Sequence, residues 1–187
     1  MSELFSIQLQ NRQQQGRDGV WLDLPTTTEQ VQAALRQIGI SSDNPQGLFI
    51  SGYFAEEEKR FAIPYNMVLA SNVDELNFLA SRLETLSTGE RAELNAALQA
   101  PQSELFSIGK ITDFPENVEY YVHLPDVHGP AQLGDYYLNR SGMVDMPEEW
   151  KGGIDTAQFG RYVAQQEQGV FTEYGYLVKS GDAWQKV

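Results

Sequence analysis

The spacing of apolar residues changes twice along this chain of 187 residues, and that change restricts its fold more than any other feature. Residues 1–62 begin with alternating apolar and polar positions, which is the periodicity of a strand. Residues 63–101 place leucines three and four positions apart, as helices do. Residues 102–187 return to strand-like spacing around one further helix. The pattern predicts an α+β protein of three small units: a sheet plus helix, a helical middle unit, and a second sheet plus helix.

Three strands are predicted in the first unit, at residues 4–9, 20–24 and 48–54. A helix is predicted between the second and third strands, because apolar residues there follow the spacing i, i+3, i+4, i+7. Its start has the composition of a capping box, with Thr26 as N-cap and Glu29 three residues later.

Two antiparallel helices joined by a short turn are predicted in the middle unit, because leucines recur at helical spacing on both sides of residue 88. The third unit has one helix, with Asp155 as N-cap and Gly169 as its stop. Its strand-like segments are residues 105–108, 119–124, 134–139 and 170–178. The hexapeptide Ser-Glu-Leu-Phe-Ser-Ile occurs twice, at 2–7 and 103–108, which leaves a duplicated hairpin and chance repetition as alternatives.

Acidic residues outnumber basic residues two to one, 26 against 13, for a net charge of −13. The last unit, residues 102–187, carries −7 of that charge. Its stretch Leu133–Val178 is acidic but also aromatic and patterned, so it should fold rather than form a solvated tail. A protein of this charge repels nucleic acid and attracts basic surfaces, including surfaces that bind DNA phosphates. The sequence has no basic segment and no RNA-binding motif that would overcome this repulsion, so we expect no nucleic-acid ligand.

Catalytic and metal chemistry have little support in the sequence. His123, Asp126 and His128 could gather a metal, but a strand that runs into a Pro-Gly loop need not place both rings on one face. Cysteine is absent, and no Gly-x-Ser-x-Gly motif occurs. Adjacent carboxylates such as Glu148 and Glu149 are expected by abundance alone in so acidic a chain. The sequence therefore predicts a protein that is not an enzyme and uses no metal or cofactor.

The cellular location is predicted from what the sequence lacks. The absence of cysteine fits a reducing compartment. The first 15 residues do not have the basic and apolar regions of a signal peptide. No apolar run approaches the roughly 20 residues of a membrane-spanning helix. We expect a cytoplasmic protein that does not bind membranes.

Negative charge on a folded scaffold can have a function of its own. Carboxylates at i, i+3 and i+4 of a helix, or at alternate positions of a strand, lie roughly 5–7 Å apart. Duplex DNA presents one phosphate charge per roughly 1.7 Å of its axis when both strands are counted. A rigid array of carboxylates can therefore imitate a row of phosphates and occupy a DNA-binding groove.

Three patches of this chain resemble a known family. Gly19–Pro25 reads Gly-Val-Trp-Leu-Asp-Leu-Pro, and Asp74–Leu83 reads Asp-Glu-Leu-Asn-Phe-Leu-Ala-Ser-Arg-Leu. The third patch is a series of short motifs in the last third of the chain: Leu133–Tyr137, Met146–Glu148, Ile154–Asp155, Phe159–Arg161 and Phe171–Tyr176. In their order and spacing these patches resemble the ArdA antirestriction family.

The resemblance implies a cytosolic protein of mobile genetic elements or phages. Members of that family are elongated, three-part DNA mimics that dimerise, and they block the DNA-binding core of type I restriction–modification enzymes without chemistry. The antirestriction and dimer-forming region would map near Leu133–Asp155. Tyr136, Tyr137 and Met146 are then candidates for a homodimer interface.

We therefore expect an antirestriction protein whose carboxylates compete with DNA for a type I restriction–modification enzyme. An inhibitor or immunity protein for another basic partner, such as a nuclease toxin, is the alternative, and the protein that co-purifies would separate the two. The candidate contact residues are Asp113, Glu116, Glu119, Asp126, Asp135, Asp145, Glu148, Glu149 and Asp155.

Overall fold

A computed structural model describes residues 3–14, 18–41, 45–101 and 103–186 of the chain. Its contacts divide the chain into two compact units, residues 1–87 with 105–115 and residues 88–104 with 116–187. Each unit contains a three-stranded antiparallel sheet and several helices, which confirms the α+β class. The division into three units stays a prediction.

The strands and helices follow the chain in this order: β1 (Phe5–Asn11), β2 (Val20–Leu24), α1 (Thr28–Gln37), β3 (Leu48–Phe54), α2 (Tyr65–Leu69), α3 (Val73–Leu83), α4 (Thr88–Gln99), α5 (Ile108–Thr112), β4 (Tyr121–Leu124), α6 (Pro130–Asp135), α7 (Glu148–Lys151), α8 (Thr156–Glu167), β5 (Val170–Thr172) and β6 (Gly175–Lys179). A π-helical turn at Tyr136–Arg140 continues α6. Short 3-10 turns occur at Glu57–Lys59, Phe114–Glu116 and Val118–Tyr120.

The sheet of the first unit has the order β2-β1-β3, with both pairs antiparallel. The period-2 pattern of β1 explains its central place, because Phe5, Ile7 and Leu9 are buried on one face while the residues between them are half-buried. Helices α1 and α3 contact β2, and α2 contacts β3. The three strands predicted from the sequence are confirmed.

The predicted cap of α1 is wrong by one residue. The N-cap is Thr27, and Gln30 at N3 completes the capping box, with the Thr27 N–H donating to Gln30 Oε1 at 3.2 Å. Thr26 does not cap, because its backbone pairs with the side chain of Asn77 on α3. Glu29 lies in the first turn of the helix instead, where its charge suits the helix dipole.

The sheet of the second unit has the order β4-β6-β5, also antiparallel. Its core is formed by Val127, Leu133 and Tyr176, against which side chains of α8, the π-helical turn and the three strands pack. Asp155 is the N-cap of α8, as predicted, and its Oδ1 accepts from the Gln158 N–H at 2.9 Å.

Two strands predicted within residues 102–187 are wrong. Residues 134–139 form the end of α6 and the π-helical turn, because Leu133 and Leu138, five residues apart, are both buried there. Residues 105–108 lead into α5, and the Ser107 hydroxyl caps that helix by accepting from the Lys110 N–H at 3.3 Å. In both cases tertiary packing and capping overrode the strand preference of the aromatic residues.

Candidate partner-binding surface

Eight of the nine predicted contact carboxylates belong to the second unit, and seven of these are exposed. The exposed seven are Glu116, Glu119, Asp126, Asp145, Glu148, Glu149 and Asp155. Asp135 is half-buried beside the π-helical turn. Asp113 belongs to the first unit, ends α5, and is only 9% exposed, so it offers little surface to a partner.

Some of these carboxylates are partly neutralised within the chain. Asp135 lies 3.3 Å from Nε of Arg140, and Glu148 lies 2.6 Å from Nζ of Lys151. Asp155 is engaged in capping α8. Both partners of the Asp135–Arg140 pair are about half exposed, so water screens the two charges and the pair gains little free energy. Both ion pairs lower the local negative charge of the surface.

Four exposed carboxylates form no ion pair within the described part of the chain. They are Glu119, Asp126, Asp145 and Glu149. The second unit as a whole contains 14 acidic residues against 6 basic ones, a net charge of −8 out of −13. The first unit, with 12 acidic and 7 basic residues, contributes −5. Unbalanced charge on the surface of a folded unit sets up a field that draws in basic partners.

The predicted interface tyrosines differ in their surroundings. Tyr137 donates its hydroxyl hydrogen to Glu167, and Tyr176 donates to the other oxygen of the same carboxylate at 2.9 Å. Burial, and then the hydrogen bond to Glu167, raise the pKa of both tyrosines. Tyr136 packs edge-on against Tyr137, with ring centroids 5.5 Å apart. Tyr137 therefore has a structural role in its own unit. Tyr136 is half-buried and lies under the guanidinium of Arg140, 5.6 Å from its ring centroid.

Met146, the third interface candidate, is half-buried in the segment that precedes α7. The exposed apolar side chains of the second unit are more prominent: Met143 is 74% exposed and Trp150 is 67% exposed. Sequence analysis did not single out either residue. Both residues flank Met146 in a short acidic segment with few apolar residues, so little apolar surface is available to bury them. That composition could have indicated their exposure.

Two glycines that the sequence analysis missed allow α6 and α8 to pack closely in this unit. A Cβ on Gly160 of α8 would lie 2.8 Å from the backbone nitrogen of Gly134 on α6, and a Cβ on Gly134 would lie 2.7 Å from the carbonyl carbon of Thr156. The two helices therefore approach each other with no room for a side chain at either position. Both glycines stand inside motifs quoted above, Leu133–Tyr137 and Phe159–Arg161.

The two histidines do not form a metal site with Asp126. His123 Nε2 lies 2.7 Å from the carbonyl oxygen of Tyr174, while His128 is exposed. Within the described residues, no group of three His, Asp or Glu side chains could hold a metal ion. Among the helices of the described segments, none combines the length and apolarity needed to cross a membrane.

Comparison with known protein families decides what kind of protein this is. The family model described as antirestriction protein (ArdA) matches residues 15–178. The chain belongs to the ArdA family. A search of curated proteins found no match. As an ArdA family member the protein is an antirestriction protein, and its family consists of inhibitors of restriction enzymes. The match spans all three patches on which the resemblance was based.

Proposed function

We propose that this ArdA family member inhibits type I restriction–modification enzymes by mimicking DNA. The observation that supports this is the charge of the second unit, −8, with four exposed carboxylates that form no ion pair within the described residues. These carboxylates would take the place of phosphates in the DNA-binding core of the enzyme. Binding would then block access of DNA and require no chemistry.

The gain in free energy would come from the same source as in DNA binding. A basic groove that exchanges its counterions for carboxylates releases those ions, so affinity falls as salt concentration rises. Because the charge is spread over many exposed side chains, each contact contributes little. Loss of one carboxylate should therefore weaken inhibition only slightly, while loss of several should weaken it strongly.

We further propose that the protein acts in the cytoplasm as a homodimer, with Tyr136 and Met146 at the interface. Both side chains are half-buried and so retain surface for a second copy. Tyr137 would support the interface indirectly, since its hydroxyl is held by Glu167. The molar mass in solution, measured by light scattering, tests this: Met146→Glu should shift a dimer to monomer, and an unchanged mass would contradict the assignment.

A restriction test in cells addresses the proposed function. Unmodified phage is plated on a host that carries a type I system, with and without the protein. The protein should raise plating efficiency toward that of a non-restricting host. The triple variant Asp126→Asn, Asp145→Asn, Glu149→Gln should lose most of this effect. An equal number of plaques with and without the wild-type protein would contradict the proposal.

A control variant removes charge from the first unit. Glu57→Gln with Asp74→Asn removes two exposed carboxylates of the first unit, which were not among the candidate contacts. This double variant should retain inhibition, and circular dichroism should show that both variants are folded. If the control loses inhibition as fully as the triple variant, net charge matters and the position of the carboxylates does not.

A further inference from the structure

A groove in the second unit contains two of the candidate contact carboxylates, Glu116 and Glu119, and is a more specific site than exposed charge alone. One wall is formed by residues 116–120 and the other by residues 182–185, and the cavity between them has a volume of about 500 Å³. Residues 182–185 lie beyond residue 178, where the match to the ArdA family ends. The groove is therefore built in part by a segment that the family model does not cover.

The outer wall is fixed by specific hydrogen bonds. Asn117, only 4% exposed, accepts from the Gln185 N–H at 2.7 Å and donates to the Gln185 carbonyl oxygen at 2.8 Å. The Ser180 N–H donates to the carbonyl oxygen of Tyr120 at 2.9 Å. The ring of Trp184 packs edge-on against that of Tyr120, with centroids 5.1 Å apart. These contacts hold the segment in place, so the groove is preformed and its ligand need not order it.

The lining of the groove combines carboxylates with aromatic rings. Glu116, Glu119 and Asp182 supply the negative charge, and Tyr120 and Trp184 supply the rings. The described lining residues include no lysine or arginine. Lys179 lies over the Tyr120 ring, 5.8 Å from its centroid, but its Nζ is paired with Glu104 at 3.0 Å. Asp182 accepts one hydrogen bond, from the Ser180 hydroxyl at 3.1 Å, which leaves its second oxygen for a ligand.

We propose that this groove binds an arginine side chain of a protein partner. A guanidinium group is planar, carries five donors that match carboxylates, and stacks on aromatic faces, whereas an ammonium group is a compact and more strongly hydrated charge. Carboxylates beside aromatic rings attract such a cation through ion pairing and through the ring quadrupole. The site does not depend on the partner being a restriction enzyme, and its test uses no restriction enzyme. The two proposals can therefore fail separately.

Titration of the ¹⁵N-labelled full chain with N-acetylargininamide tests the site. The indole N–H signal of Trp184, assigned by its loss in Trp184→Phe, should shift and saturate with a dissociation constant on the order of millimolar, as expected for a single side chain. N-acetylcitrullinamide, which has the same shape without the charge, should not shift it. Equal shifts with both compounds, or a shift that does not saturate, would overturn the proposal.

Variants separate a pocket from a general charge effect. Glu119→Gln with Asp182→Asn should weaken arginine binding about tenfold, since two charge-assisted contacts are lost. Both side chains are exposed, so the double variant should fold, and an unchanged backbone spectrum away from the groove will show it. Glu57→Gln with Asp74→Asn removes the same number of charges from the first unit and should leave binding unchanged. Equal weakening in the two double variants would contradict a discrete site.

Discussion

The side chain of Asn77 pairs with the backbone of Thr26. Asn77 Oδ1 accepts from the Thr26 N–H at 2.7 Å, and its Nδ2 donates to the Thr26 carbonyl oxygen at 3.0 Å. Thr26 follows the patch Gly19–Pro25 directly, and Asn77 lies within the patch Asp74–Leu83. The Asn77 amide therefore ties the residue just after the first motif to the helix that contains the second motif.

Replacing Asn77 with alanine should lower the free energy of unfolding by about 1–3 kcal/mol, because the backbone donor and acceptor of Thr26 are left partly buried and without a partner. Urea denaturation measures this. Asn66→Ala, at an exposed position of α2, is the control and should change stability by less than about 0.5 kcal/mol. Equal effects of the two substitutions would show that the Asn77 amide does not stabilise the unit.

Replacing Gly160 with alanine should destabilise the second unit, although alanine is the better helix former by about 1 kcal/mol. The added Cβ would meet the backbone of α6 near Gly134, and backbone atoms cannot rotate away. Overpacking of this kind costs typically about 1–3 kcal/mol. Gly152→Ala is the matched control, because a Cβ there has no neighbour within 4 Å. A thermal midpoint for Gly160→Ala equal to that of the control would refute the close helix contact.

Glu93 on α4 should make stability depend on pH. Its Oε1 is buried and accepts no hydrogen bond from the described residues, and burial, reinforced by the charge of Glu90, raises the pKa of Glu93 from 4.5 to about 8. The folded state thus holds the proton more tightly than the unfolded state does. The stabilisation from this proton is full below about pH 4.5 and is lost as pH rises through about 8.

Glu93→Gln imitates the protonated form, so it should be more stable than the wild type at high pH. Its advantage in unfolding free energy should be near zero at about pH 4.5, grow as the pH rises, and level off above about pH 8. Because the carboxyl group is only partly buried, we expect an advantage of about 1–2 kcal/mol after allowance for screening by water. If denaturation curves show the same difference in unfolding free energy at every pH in this range, the prediction is refuted. Glu57→Gln, at an exposed position, should follow the wild type throughout.

The first unit could be predicted from local pattern because its elements agree with their sequence preferences. The strand β1 alternates buried and half-buried residues along its whole length, and α1 ends before Gly39, whose φ of 69° suits glycine. The cap of α1 moved by one residue because Asn77, 51 positions away, engages Thr26. A contact so distant in sequence leaves no local signal.

The repeated hexapeptide shows why residues 102–187 were harder to predict than the first unit. In its first copy, Phe5, Ser6 and Ile7 lie in β1, where the Ser6 hydroxyl donates to Asp23 on β2 at 2.6 Å. In its second copy, Ser107 caps α5 and Ile108 begins that helix. The shared Phe-Ser-Ile sequence thus adopts two structures, according to whether a neighbouring strand or a helix start satisfies its polar groups.

The net charge of the candidate surface could be predicted from the sequence, but only one of the two ion pairs described above could. Glu148 and Lys151 are three residues apart on one helix, a spacing that brings charges together. Asp135 and Arg140 are five residues apart, and they meet because the intervening segment is a π-helical turn. The sequence predicted a strand there, which would have placed these two side chains on opposite faces.

Competition with DNA on a purified type I restriction–modification enzyme tests the central claim most directly. Displacement of labelled duplex DNA is measured as the protein is titrated, at salt concentrations from about 50 to 200 mM. Mimicry predicts full displacement, a binding constant that falls steeply with salt, and a shallower salt slope for the triple variant Asp126→Asn, Asp145→Asn, Glu149→Gln. Simultaneous binding of DNA and protein, or an affinity that does not change with salt, would contradict it.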